Sequence, residues 1–328
     1  MRTRGLAHLC SRRPVQSIAS RPLPCSGGAA ARVSTPARLT APLRPYLKPA
    51  RTPADLLAHL QARGLVVPDP AAALEALIHV GYYRLLIYMR PLQDAAKQFH
   101  LGTTFTAVLA LYDFDRELRL LCLDAIERVE VALRAALNNE VAVAHGPHFY
   151  LDRHLFATFD AYQEFLRTAT TAKYLAIAHY RARYDEPPVA PIWAVTEAIT
   201  FGALSRLYSG LRLDLRKLVA RRFGFDETVL VSWFRTLTTL RNMCAHHNRL
   251  WNATLMVDQP KQAKALAADL TPPNTFYARA VVLVALLRVI APTSDWRHRL
   301  AALLTRYPAA VPSAMGFPVA WQTRALWK

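Results

Sequence analysis

From Thr52 onward the apolar residues recur at three- and four-residue steps rather than in alternation, which predicts amphipathic helices and little strand. Thr52 suits the cap of a first helix, with Pro53 at its first position, Asp55 in its first turn and Gly64 behind its end. Asp69 and Pro70 open a second, whose Leu74, Leu77 and Ile78 share a face and which runs into Gly81-Tyr82-Tyr83-Arg84-Leu85. A long helical region begins at Thr104 and reaches about residue 144, with Leu118, Leu121, Ala125, Val129, Leu133 and Leu137 as its core-facing stripe. Further helices are predicted over about 158–179, 192–210, 213–222, 227–248 (capped by Asp226), 275–290 and 294–305. Pro187, Pro188 and Pro191 mark a loop over 181–191, and Pro308, Pro312 and Pro318 leave the end irregular. The fold class that follows is all-α, a helical bundle with no internal repeat.

Composition sharpens this picture. Only 11 glycines in 328 residues argue against a turn-rich β architecture. The longest uninterrupted apolar stretch, Ala280 to Leu287, falls short of the roughly 20 residues a membrane span needs, so it predicts a buried helix and no membrane partner. Cys10, Cys25, Cys122 and Cys244 have no paired spacing, which disfavours a disulfide framework or a structural zinc and favours a reducing, cytoplasmic setting.

The net charge of +18 is unevenly spread: ten Arg or Lys precede the first carboxylate, Asp55. The remaining 31 bases and 23 acids leave +8, which still favours a polyanionic partner. Residues 1–46 are expected to be a disordered basic tail, 47–310 a helical domain, and 311–328 an irregular segment packed on it. The tail can be read as a transit peptide, a basic arm for nucleic acid, or sequence from a mis-assigned upstream start; the abrupt onset of ordered-looking sequence at Tyr46-Leu47-Lys48-Pro49 favours the last.

One segment carries chemistry. Leu240-Arg241-Asn242-Met243-Cys244-Ala245-His246-His247-Asn248-Arg249-Leu250-Trp251-Asn252 packs Arg, Asn, two His, Asn and Arg into nine positions at the end of an apolar helix. If the helix runs through 248, Asn242 and His246 share a face, as do His246 and Arg249, while Arg241 sits about 140° from His246 around the axis. Arg241 must then reach round to the same cleft or meet the histidine of a partner helix. A neutral imidazole can take the proton of an RNA 2′-hydroxyl or return one to the 5′-oxygen leaving group. A guanidinium can hold the non-bridging phosphate oxygens as charge builds, and Asn242 can fix the imidazole tautomer. This is metal-independent RNA cleavage, with no cofactor, giving a 2′,3′-cyclic phosphate. On a purely structural reading the polar cluster satisfies itself within the bundle. A metal site from Cys244, His246 and His247 is disfavoured because adjacent histidines diverge on a helix.

The segment resembles the signature of the Abi-like family, specifically the AbiD/AbiF type of bacterial abortive-infection proteins, within the HEPN superfamily, whose nucleases share an R-x-x-x-x-H strip. Other blocks resemble the family in the same order: Leu47-Lys48-Pro49, Arg63-Gly64-Leu65, Gly81 to Leu85, Leu111 to Arg119, Ile126 to Glu130, Trp193 to Glu197 with Phe201-Gly202, and Met315-Gly316-Phe317-Pro318. The resemblance implies a HEPN-like bundle with added N- and C-terminal helices, endoribonuclease activity, a homodimer facing two strips across one cleft, and a phage-triggered toxin. It makes Arg241 and His246 catalytic, with Asn242, His247 and Arg249 in support, and Glu130 the acidic residue of an early helix near the strip. It also implies a partner that restrains the protein, either a structured noncoding RNA or a protein antitoxin.

Several neighbours have two readings. Tyr82, Tyr83 and Arg84 suit contacts to an RNA base and phosphate, or half-buried helix packing. Glu130 and Arg134, four apart, form a plain surface pair on the bland reading. Glu197 is expected to hold Arg241, Trp251 to wedge beneath the strip, and Arg116 to pair with Asp113 and Asp115, which face apart. Against the endoribonuclease stands a non-catalytic RNA-binding scaffold or regulator. A nucleotide- or DNA-acting regulator has no helix-turn-helix, Walker loop or zinc pattern to support it.

Overall fold

The computed structural model describes Pro45, Leu47 and residues 49–328; the expectation of a disordered tail over 1–46 falls almost wholly outside the described residues. From Arg51 to Lys328 the chain forms one compact unit. Among the described residues there are helices and three isolated β-bridges but no named strand, so the all-α class stands.

The chain opens with α1 (Pro53–Gln61), α2 (Pro70–His79) and α3 (Tyr82–Met89). Thr52 and Asp55 make a reciprocal capping box, and Asp69 accepts from the Ala72 N–H. The second element does not run on through the tyrosines. Gly81, at φ +88°, breaks the helix and starts α3 in a new direction.

Helix α4 (Phe105–Ala136) continues through a π turn at Leu137–Ala142 into α5 (Val143–His145). Its apolar stripe is buried from Phe105 to Leu137, and α3, α11, α12 and α13 pack around it. The 158–179 region divides into α6 (Phe159–Thr171) and α7 (Leu175–Arg181). The 192–210 region also divides, into α8 (Ile192–Ala198) and α9 (Phe201–Gly210), because Ile199 is extended and Thr200 caps a new start. Periodicity alone missed both breaks, since each is a two- or three-residue offset within an apolar pattern.

Then come α10 (Leu213–Ala220), α11 (Glu227–Ala245), α12 (Phe276–Ile290) and α13 (Trp296–Arg306). Every residue of α12 from Phe276 to Leu287 is buried, as expected for a helix that is apolar all round. Three short 3₁₀ turns follow, and bury Met315, Trp321 and Trp327. Gly316 is required there: at φ +86°, an added Cβ would lie 2.5 Å from the side chain of Thr275, the cap of α12. Among the described residues no helix is long and apolar enough to cross a membrane.

Candidate active site

Helix α11 ends three residues earlier than periodicity predicts. Ala245 is its last helical residue and His246 caps it. The N–H of His247 bonds to the carbonyl of Cys244 (3.1 Å) and the N–H of Asn248 to that of Met243 (2.8 Å). This is a Schellman cap with His247 in the left-handed position, at φ +59°, where glycine is the usual residue. His246 and Arg249 therefore do not adjoin on a helix face; the chain has turned away between them.

What aims this turn is a set of charged side chains from α3 and α4. Asp115 is fully buried. Its Oδ1 accepts from the N–H groups of Leu250 (3.0 Å) and Trp251 (2.7 Å), and its Oδ2 from Tyr88 Oη (2.7 Å) and Arg119 Nη1 (2.5 Å). Burial pushes the Asp115 carboxyl up, while Tyr88, the Trp251 N–H and Arg119 pull it back down. Arg119 Nη1 also reaches the carbonyl of Asn248 at 3.5 Å. Arg84 Nη1 donates to the carbonyl of His247 at 2.5 Å, and Arg249 donates to the carbonyls of Ile87 and Asn252. Trp251 is buried and stacks on Tyr88 with ring centroids 6.5 Å apart, which seats it beneath the strip. Farther along, the buried Arg279 donates to the carbonyls of Pro273, Thr275, Leu255 and Val257, and burial lowers its pKa to about 10.

The side chains that could do chemistry point elsewhere. His246 and His247 are exposed, and no hydrogen bond of either imidazole is found among the described residues. Cys244 is buried, as is Cys122, whereas both histidines are exposed, and among the described residues Cys244, His246 and His247 do not gather as metal ligands. Arg241 is half-buried and makes no ion pair among the described residues; its Nη1 donates to Asn242 Oδ1 at 3.2 Å. Asn242 thus engages the guanidinium rather than the His246 ring.

Glu197 is not the partner of Arg241. It bonds to Arg134 Nη1 (3.2 Å), whose Nη2 holds Glu130 (2.5 Å). Glu130 and Arg134 are only 17% and 18% exposed, so they are not a plain surface pair. Burial raises the pKa of Glu130, opposed by Arg134 and Arg241 and reinforced by Glu197. Arg241 thus lies within electrostatic reach of this cluster. Tyr83 is exposed, Tyr82 half-buried and edge-on to it at 5.4 Å, and Arg84 is committed to the strip's backbone. Asp113 is exposed and feels Arg116, but the partner of Asp115 is Arg119, one helical turn on.

Sequence reasoning missed Asp115, Arg119 and Tyr88. A signal existed: Asp115 falls in register with the buried Leu111 and Leu118, and Arg119 follows four residues later. A carboxylate inside an apolar stripe needs such a partner.

The cap geometry yields a prediction. His247→Gly removes a left-handed non-glycine residue, so the thermal midpoint should stay level or rise by the equivalent of about 1 kcal/mol. A clear drop in the melting temperature would mean that the His247 ring carries packing energy.

Comparison with family models matches residues 75–252, over half of the chain, to the model described as Abi-like protein. Comparisons with curated proteins and with solved structures give no match.

Proposed function

Because the chain belongs to the Abi-like protein family, whose name ties it to abortive-infection defence against phage, we propose that it is an effector that cleaves RNA through the strip from Arg241 to His246. The observation that carries this reading is a contrast within one turn. Asp115, Arg119, Arg84 and Arg249 fix the backbone from His247 to Asn252, yet the His246 imidazole stays exposed and Arg241 makes no ion pair among the described residues, the nearby Glu130 being bonded to Arg134 instead. Buried charge invested in a loop's backbone, next to unpaired reactive side chains, is how a site is held ready for a ligand.

In this reading His246 takes the proton of a 2′-hydroxyl, the 2′-oxygen attacks the adjacent phosphorus, and the bond to the 5′-oxygen breaks. A protonated imidazole returns the proton to that oxygen. Arg241, oriented by Asn242, holds the non-bridging oxygens as negative charge develops. His246 lies beyond the helix end and Arg241 a turn and more before it, which favours a homodimer of the HEPN kind, where a guanidinium of one protomer meets the imidazole of the other. His247 and Arg249 support the turn. Glu130, with Glu197, sets the field around Arg241, and Tyr82, Tyr83 and Arg84 flank the path of the strand. The products are a 2′,3′-cyclic phosphate and a 5′-hydroxyl, no cofactor takes part, and the setting is cytoplasmic. An RNA or protein antitoxin holds the activity back.

The purified protein, incubated with bacterial RNA in excess EDTA, is expected to give fragments whose 3′ ends resist polyadenylation until the cyclic phosphate is removed. RNA that is bound but stays intact would support the scaffold reading instead.

A further inference from the structure

A groove of about 910 Å³ opens between α7 and α8, and no residue of the strip contributes to its walls. Tyr174, Tyr180, Tyr184 and Trp193 line it, with Pro191 and Glu197. Tyr174, Tyr184 and Trp193 are each about half exposed (52%, 56% and 51%), an outlay of aromatic surface that marks an interaction site. The cause is local. In α8 the flanking Ile192, Ala194, Val195 and Thr196 all turn inward, which leaves Trp193 and Glu197, four apart, on the outward face. The walls are held in place. Tyr180 donates to the carbonyl of Pro187 (2.8 Å) and packs against Tyr184 with ring centroids 5.1 Å apart. The N–H of Ile192, at the start of α8, donates to the carbonyl of Pro147, another wall residue (2.9 Å). A preformed groove binds with little ordering cost.

Two features say what this groove takes. The first is charge. No Lys or Arg belongs to the lining, and Glu197 is its one carboxylate. Lys173 and Arg183 lie outside the lining, and Arg181 is turned onto the carbonyl of Thr170 (3.1 Å). The Glu197 side chain is 50% exposed, and only its Oε2 is engaged, by Arg134 at 3.2 Å. Asp185 and Glu186, which follow Tyr184, are exposed and make no ion pair among the described residues. Such a lining repels phosphate. Aromatic faces carry negative potential, and with a carboxylate beside them they attract a guanidinium or an ammonium. The second feature is the free polar tips of the rings. The hydroxyls of Tyr174 and Tyr184 and the indole N–H of Trp193 have no hydrogen-bond partner among the described residues. They stand ready to donate to carbonyls. A chain in the polyproline conformation makes no internal hydrogen bonds and so offers such carbonyls, while its proline rings pack between aromatic side chains.

We propose that this groove docks an extended, proline-rich basic segment of a protein partner. Tyr174, Tyr184 and Trp193 hold its proline rings and carbonyls, and Glu197 takes its cationic side chain. The assignment does not depend on what the strip catalyses. It places the partner's charge close to the strip all the same, because Glu197 shares Arg134 with Glu130, and Glu130 feels Arg241.

The test uses the tryptophans. Trp233, Trp251, Trp296, Trp321 and Trp327 are all nearly or fully buried, so fluorescence sensitive to a surface ligand belongs to Trp193. A peptide of repeated Pro-Pro-Arg units is titrated into the full-length protein freed of nucleic acid. Binding is read by the anisotropy of a label on the peptide, and contact with the groove by the change in tryptophan emission. A saturable change in both is expected. Trp193→Ala should weaken binding about thirtyfold and abolish the emission change, and Tyr184→Ala should weaken it about tenfold, as loss of an interface anchor does. Both side chains are half exposed, so the circular dichroism spectrum should not change. Glu197→Gln should bring the affinity down to that of a Pro-Pro-Gln peptide, whose own binding stays the same. Failure of the Pro-Pro-Arg peptide to bind, equal affinity in the Trp193 and Tyr184 variants, or equal binding of Pro-Pro-Glu or Ala-Ala-Arg peptides would each overturn the proposal. So would an oligoadenylate that displaces the peptide, which would give the groove to nucleic acid. A dimer that dissociates in Trp193→Ala, seen by sedimentation, would give it to a second copy of the chain and overturn the proposal equally.

Discussion

His246→Ala is expected to slow RNA cleavage by about 10²- to 10⁴-fold, the range supplied by a positioned general acid or base. Because the ring is exposed and has no hydrogen-bond partner among the described residues, the melting temperature should not move. Arg241→Ala removes the charge that meets the phosphate oxygens, and a loss of about 10²- to 10³-fold is expected. Arg241→Lys should recover only part of it, since an ammonium cannot reproduce the forked contact. The stability of this variant is the informative control. Arg241 helps offset the charge of Glu130, so a small shift is allowed, whereas His246 should give none. A His246→Ala protein that unfolds early would return the imidazole to a structural role.

The second large effect lies inside the protein. Asp115→Ala leaves the buried guanidinium of Arg119 without its anion and the N–H groups of Leu250 and Trp251 without their acceptor. Breaking a buried pair from one side costs about 3–5 kcal/mol, which for a domain of this size should lower the melting temperature by roughly 10 °C. Removing both charges together, as Asp115→Leu with Arg119→Met, should restore part of that loss, because a buried ion pair and an apolar replacement of similar volume differ little in stability. Cleavage should remain depressed in the double variant, since the N–H groups of Leu250 and Trp251 then lose their acceptor and only Arg84 and Arg249 still hold the turn. Stability and activity would thus separate, and calorimetry beside a cleavage assay would show it. Full recovery of cleavage in the double variant would mean that the Asp115 clamp does not position the strip.

Much of this architecture could be read from the chain. The caps at Thr52, Asp69 and Asp226 form because small polar side chains precede apolar runs, and that pattern is local. The stripe of α4 and the all-round apolar α12 are equally local, being matters of period and composition. The end of α11 was not legible. Nothing in Ala245-His246-His247-Asn248 forbids another turn of helix. The chain turns because Asp115, some 130 residues earlier, offers an acceptor to Leu250 and Trp251, and because Arg84 and Arg119 accommodate the carbonyls that the turn frees. The partner of Glu197 failed for a similar reason. Arg134 and Arg241 both come near the acidic pair, and only the packing of α4 against α8 decides which takes the bond. In the candidate site the residue types were visible in sequence, whereas their mutual aim was set by long-range contacts.

The most direct test of the central claim uses an RNA with one mapped cleavage position, prepared with a single 2′-deoxy nucleotide on the 5′ side of that phosphodiester. With the 2′-oxygen as nucleophile and His246 as its base, cleavage at that bond should cease in the wild-type protein while any neighbouring cuts persist. Undiminished cleavage at the deoxy position would mean that another nucleophile attacks the phosphorus, and would contradict the catalytic role of the strip.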